Sequence, residues 1–180
     1  MSNPYVWLPV NLRWPVVVAL FAVSIILMIA LSVIGKGLTV KEGDDSVSIM
    51  NIEMPWTQTE AETVVRIWKD KQQIDAAIKQ TRLDFLFLLI YPAALSLACV
   101  MASGSQTGLM ANVGGILSWA VLFCTPLDFT ENVFILKMLD GALQTPIPQL
   151  TTFVSLIKWV LIAIASLYLL AGGVLKILHR

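Results

Sequence analysis

Long apolar stretches of the sequence contain or adjoin four charged side chains, Asp84, Asp128, Glu131 and Lys158. On insertion scales, a charged residue at the centre of a membrane-spanning helix costs about 2.5–3.5 kcal/mol. Such residues therefore usually face the interior of a helical bundle and pair with one another. We expect these four side chains to face protein rather than lipid and to form a polar site.

Helical spacing places several polar side chains on common faces. Asp128, Glu131 and Asn132 follow i, i+3, i+4 spacing, which puts them on one side of a helix. Asp84 and Tyr91 are seven positions apart, two turns along one side of another helix. If these two faces meet, they form a polar pocket between the helices.

Lys158 is the cation that we expect to neutralise one of the carboxylates. Counted inward at about 1.5 Å per residue, Lys158 lies about 10 Å deep, Asp128 about 13 Å, Glu131 about 9 Å and Asp84 about 3 Å. Three helices therefore place charge in the same leaflet. Two or three acids facing one lysine would leave at least one carboxyl protonated or hydrogen-bonded.

The composition explains why these charges are expected inside a membrane. Of 180 residues, 57% are hydrophobic and 13% are charged, against about 45–50% and about 25% in soluble domains. A soluble fold of this length would expose large apolar patches. The formal net charge is zero, so the sequence offers no basic surface for a nucleic-acid partner.

Four mainly apolar stretches reach or exceed the roughly 20 residues that a helix needs to cross a bilayer. They cover residues 15–34, 83–103, 109–139 and 151–175. The sequence therefore predicts an all-α membrane protein, a four-transmembrane-helix bundle that forms a single membrane domain over 1–180. An even number of spans places both chain ends on one side, and the sequence leaves open which side is cytoplasmic.

The extramembrane segment 35–82, between the first two spans, is predicted to have structure of its own. Residues 46–54 read as a short extended stretch, and an amphipathic helix follows over about 59–82. Its capping box is Thr59 with Glu62, or Thr57 with Glu60 one step earlier. No glycine or proline separates this helix from the second span, so the two can be continuous. Its apolar side would either lie on the membrane surface or cover the mouth of the bundle.

Two motifs carry a resemblance to a known group of proteins. They are the run Leu-Asp-Phe-Leu-Phe at 83–87, followed by Tyr91, and the run Asp-Phe-Thr-Glu-Asn at 128–132. From about residue 45 onward the chain resembles an uncharacterised family of small bacterial four-span membrane proteins. The resemblance implies a location in the bacterial inner membrane, and it implies no established activity.

Other kinds of functional site find no support in the sequence. The two cysteines, Cys99 and Cys124, lie in apolar stretches with a spacing that fits no metal site. No nucleotide-binding loop or catalytic motif is present. We therefore predict no metal, no cofactor and no catalytic residue.

Several functions remain compatible with the polar residues. The leading hypothesis is a pocket within one leaflet that binds a lipid or another membrane-soluble ligand. A second is a scaffold or assembly subunit whose charges pair with another membrane protein or a second copy of this chain. A third, which the sequence favours least, is a membrane enzyme using Asp128 or Glu131 as acid and base. The same residues could instead act only as polar contacts that hold the helices in register.

Overall fold

The computed structural model describes residues 3–42 and 45–178. Within these ranges the chain is almost entirely helical, with one small antiparallel sheet. The helices are α1 (Val10–Ile34), α2 (Ile49–Glu53), α3 (Gln58–Asp70), α4 (Ile74–Ser103), α5 (Gly108–Ala120), α6 (Cys124–Leu139) and α7 (Ile147–Leu178). The strands are β1 (Val40–Glu42) and β2 (Asp45–Val47), and 3-10 turns cover Gly35–Gly37 and Val121–Phe123.

Four helical stretches are long and apolar enough to cross a membrane. They are Val10–Gly37, Ile74–Ser103, Gly108–Leu139 and Ile147–Gly173. Large apolar side chains cover the outside of these helices, and Leu167, for example, is 66% exposed. Water disfavours so much apolar surface, whereas lipid does not. The chain is therefore an all-α multi-pass membrane protein, and the predicted number and order of spans are confirmed.

The third of these stretches is not a regular α-helix throughout. α5 ends at Ala120, the 3-10 turn follows, and α6 begins at Cys124. Pro126 has no N–H, so it cannot donate the helical hydrogen bond to the carbonyl of Leu122 inside that turn. The prediction of one span over 109–139 holds, with this local tightening beside its proline.

The segment after α1 begins with a β-hairpin. β1 and β2 pair antiparallel. The extended stretch predicted over 46–54 is wrong in its second half, because those residues form α2. The side chain of Asn51 starts this helix, since its Oδ1 accepts hydrogen bonds from the Ser48 N–H at 2.8 Å and from Ser48 Oγ at 2.9 Å.

α3 begins with a capping box on Thr57. Thr57 Oγ1 accepts a hydrogen bond from the Glu60 N–H at 3.2 Å, and the Thr57 N–H donates to the Glu60 carboxylate at 3.3 Å. The pair satisfies two N–H groups that the start of a helix leaves without helical partners. Of the two predicted capping boxes, this one is correct, and the one on Thr59 and Glu62 is wrong.

α3 ends at Asp70, so the prediction of one unbroken helix over 59–82 is wrong. Residues 74–82 are nevertheless helical and run directly into the second span as the first part of α4. Gln72 adopts a φ of 57°, and the N–H of Gln73 donates back to the carbonyl of Trp68 at 2.7 Å. This is a Schellman motif, in which the residue with positive φ is usually glycine or asparagine. Because glutamine occupies that position here, the sequence carries no stop signal.

The chain divides into two compact units, which we describe separately. Unit 1 comprises Met1–Ile25, Leu89–Thr125 and Lys158–Arg180. Unit 2 comprises Ile26–Leu88 and Pro126–Ile157, and it therefore contains the hairpin, α2 and α3.

The core of unit 2 joins α3 to residues of α4 and α6. Ile67 and Trp68 of α3 are fully buried, whereas Arg66 and Lys69 are exposed. The Trp68 indole N–H donates to the carbonyl of Leu38 at 3.0 Å. The buried members of this core are Leu38, Val47, Ile52, Ala61, Val64, Val65, Ile67, Trp68, Ala77, Ile135, Met138 and Leu139. The predicted amphipathic character of α3 is confirmed, and its apolar side packs against protein.

Unit 1 contains two smaller apolar clusters formed by its helices. Their buried members are Leu95, Cys99, Leu117, Val121, Ala165 and Tyr168 in one, and Leu8, Val17 and Leu97 in the other. Ser96 Oγ donates a hydrogen bond to the carbonyl of Ser118, which ties α4 to α5. The Tyr5 hydroxyl donates to the carbonyl of Ala93 at 2.9 Å and so anchors the residues before α1 to α4.

Candidate functional site

The candidate site is built on a hydrogen bond between α4 and α6 in unit 2. Asn132 Nδ2 donates to Asp84 Oδ2 at 2.7 Å. The same two helices also meet through the rings of Phe85 and Phe129, which lie edge to face with centroids 5.3 Å apart. The two motifs at 83–87 and 128–132 are therefore in direct contact.

A small polar cavity lies beside this hydrogen bond. Its volume is about 30 Å³. Its lining comes from α2, α4 and α6 and consists of Ile49, Glu53, Gln80, Thr81, Asp84, Asn132 and Ile135. Since a cavity needs roughly 10–15 Å³ to hold one water molecule, this one accommodates one or two groups of that size.

The acidic face of α6 is buried as the sequence predicts. Asp128, Glu131 and Asn132 are 3%, 1% and 3% exposed. Their i, i+3, i+4 spacing on a regular helix keeps them on one side of α6. Asn132 contributes to the cavity, whereas Asp128 and Glu131 are not among the residues that line it.

Lys158 and Tyr91 belong to unit 1. Lys158 is 5% exposed, and its Nζ lies 5.4 Å from the ring centroid of Trp159, within range of a cation–π interaction. Tyr91 is half-buried on α4. The neutralisation of an α6 carboxylate by Lys158 stays a prediction.

Three polar residues of the cavity were missed by the sequence analysis. Gln80 and Thr81 precede Asp84 by four and three positions, so helical spacing alone could have placed them on its side of α4. Glu53 is the last residue of α2, and no spacing in the sequence relates it to Asp84 or Asn132. Its main-chain carbonyl accepts a hydrogen bond from Ser155 Oγ of α7 at 2.8 Å, which ties α2 to the start of the fourth span.

Gly35 allows Gln80 to occupy its place at the cavity. A Cβ at position 35 would lie 2.6 Å from Gln80 Oε1, well inside van der Waals contact. Gln80 Oε1 is itself buried and accepts no hydrogen bond from the described residues. A buried acceptor at the wall of a polar cavity favours a bound water or another donor inside it.

Comparisons with known proteins do not add a functional assignment to this geometry. No protein-family model matches the chain, and no curated protein or solved structure shows significant similarity to it.

Proposed function

We propose that this multi-pass membrane protein binds a lipophilic ligand whose small polar group enters the cavity of unit 2. The observation that carries the proposal is the cavity itself, which is lined by carboxylate, amide and hydroxyl side chains of helices that include two membrane spans. Ligand sites combine apolar walls with a few placed polar groups. Ile49 and Ile135 supply apolar wall here.

The volume of the cavity limits the chemistry of the ligand. A space of about 30 Å³ takes a hydroxyl or a carbonyl oxygen, and it is too small for a phosphate-bearing headgroup. Asp84 accepts hydrogen bonds, whereas the amides of Asn132 and Gln80 can donate or accept. We therefore propose a ligand of the alcohol, quinone or fatty-acyl carbonyl class.

We also propose the bacterial inner membrane as the location of the protein. Two observations support this part of the proposal: the resemblance carried by residues 83–91 and 128–132, and the helical nature of all four apolar stretches. Proteins that span the bacterial outer membrane are β-barrels instead. Fractionation of the two membranes tests the location.

The ligand is tested by analysis of what the purified protein retains. Wild-type protein is purified in a mild detergent, and bound lipophilic molecules are extracted and quantified by mass spectrometry. Asn132→Leu removes the amide at similar size, so we expect retention of the ligand to fall about tenfold, as the loss of one good hydrogen bond implies. Thr81→Val should reduce retention less, because it removes one hydroxyl without changing shape.

The matched control is Asn112→Leu, which changes an exposed asparagine of α5 outside the cavity. This variant should retain the ligand at the wild-type level. Equal retention by Asn132→Leu and Asn112→Leu, or a wild-type protein that carries no lipophilic molecule, would overturn the proposal. The side chains would then serve only to hold α4 and α6 together.

A further inference from the structure

A second recess in unit 2, which we call the groove, lies between α4 and α6. The side chains that line it differ in chemical character from those of the polar cavity. The groove has a volume of about 440 Å³. Its lining consists of Ile78, Arg82, Val133, Leu136, Lys137, Leu139 and Asp140. No residue lines both this groove and the polar cavity, so a ligand in one can be tested independently of the other.

The charged side chains that line the groove favour the binding of an anion. Arg82 and Lys137 are cations contributed by two different helices, and both side chains are exposed. Asp140 is the one carboxylate of the lining. Two positive charges and one negative charge leave a net charge of plus one, which matches a ligand with a single negative charge.

The position of these residues along the spans identifies the kind of anion. Arg82 directly precedes the apolar run of the second span, and Lys137 lies in the last turn of α6. Basic side chains at such positions extend toward the headgroup region of a bilayer. The remaining walls, Val133, Leu136 and Ile78, are apolar. Basic pockets between membrane helices are known to bind phosphate headgroups of lipids.

We propose that this groove binds an anionic phospholipid. Arg82 donates hydrogen bonds to the phosphate oxygens through its planar guanidinium, Lys137 contributes a second positive charge, and an acyl chain lies along the apolar wall. Asp140 lies at the same groove and weakens the attraction. The groove is separate from the polar cavity, so this proposal does not depend on whether the cavity binds a ligand.

The test is titration of the purified full-length chain in detergent with phosphatidylglycerol or phosphatidylcholine, with bound lipid resolved by native mass spectrometry. Wild type should bind phosphatidylglycerol more tightly than phosphatidylcholine, and the difference should shrink as salt rises. Arg82→Gln and Lys137→Gln should each weaken phosphatidylglycerol binding about fivefold. Asp140→Asn should strengthen it, because this change removes the one negative charge of the groove.

The matched control is Lys36→Gln, which removes an exposed cation in the 3-10 turn after α1 that does not line the groove. It should leave lipid affinity unchanged. Arg82→Lys preserves charge and serves as the conservative variant if Arg82→Gln folds poorly; it should keep most of the preference for the anionic lipid. Equal binding of the two lipids by wild type, or an equal loss in Lys36→Gln and Arg82→Gln, would overturn the proposal.

Discussion

The hydrogen bond from Asn132 to Asp84 is the residue-scale contact on which the candidate site depends. A hydrogen bond contributes about 0.5–1.5 kcal/mol between neutral groups and about 1.5–3 kcal/mol when one of the groups is charged. Asn132 is almost fully buried, so water cannot easily replace the lost donor. Removal of the amide would take one hydrogen-bond donor away from the half-buried carboxyl group of Asp84.

We therefore expect Asn132→Ala to lower the free energy of unfolding by about 1–3 kcal/mol. Asn112→Ala, at an exposed position, should change it by less than about 0.5 kcal/mol. Thermal or denaturant unfolding of the detergent-solubilised protein measures both. A double-mutant cycle with Asp84→Ala should give a coupling energy of about 0.5–3 kcal/mol. Strictly additive effects would show that the two side chains do not interact.

At the scale of secondary structure, α3 has defined ends that the pattern of apolar residues does not reveal. Its start is decided by hydrogen bonds of the Thr57 and Glu60 side chains. Its end is decided by the backbone conformation of Gln72. Between these ends, the apolar side of α3 packs in the core of unit 2. There the indole N–H of Trp68 donates a hydrogen bond to the carbonyl of Leu38.

Substitution of the two candidate cap residues distinguishes between them. Thr57→Ala should destabilise the protein by about 1 kcal/mol, because it leaves the Glu60 N–H without its acceptor. Thr59→Ala, inside the first turn of α3, removes no cap and should have a smaller effect or none. Thermal unfolding of the two variants side by side measures the difference. A larger loss of stability for Thr59→Ala than for Thr57→Ala would indicate that Thr59, and not Thr57, caps α3.

At the scale of the whole molecule, four apolar helical stretches are long enough to cross the bilayer. An even number of crossings returns the chain to the side from which it started. The connection between α4 and α5, which contains Ser105, follows the second of these stretches, so we expect it on that same side. We expect the segment between α1 and α4 on the opposite side.

Reporter fusions test this arrangement directly. A reporter placed before Val10, one placed after Leu178 and one inserted near Ser105 should all report the same compartment. A reporter in the hairpin between β1 and β2 should report the opposite compartment. Opposite signals from the two chain ends would contradict the four-span arrangement.

The sequence alone determined the membrane character and the number of spans. These are local properties, because about 20 consecutive apolar residues are needed and suffice to indicate a spanning helix. Spacing along one helix also predicted which side of α6 carries Asp128, Glu131 and Asn132, and their burial agrees with that expectation. The amphipathic side of α3 followed from the same kind of periodicity.

Only the tertiary structure decided which of these side chains meet. Asp84 and Asn132 are 48 positions apart, and their contact depends on how α4 and α6 rotate and pack, which no local pattern specifies. The inclusion of Gln80 and Glu53 in one cavity depends likewise on three helices at once. The end of α3 at Asp70 could not be read from the sequence either. The residue that takes the left-handed conformation after it is Gln72, an ordinary residue that its surroundings must hold in that conformation.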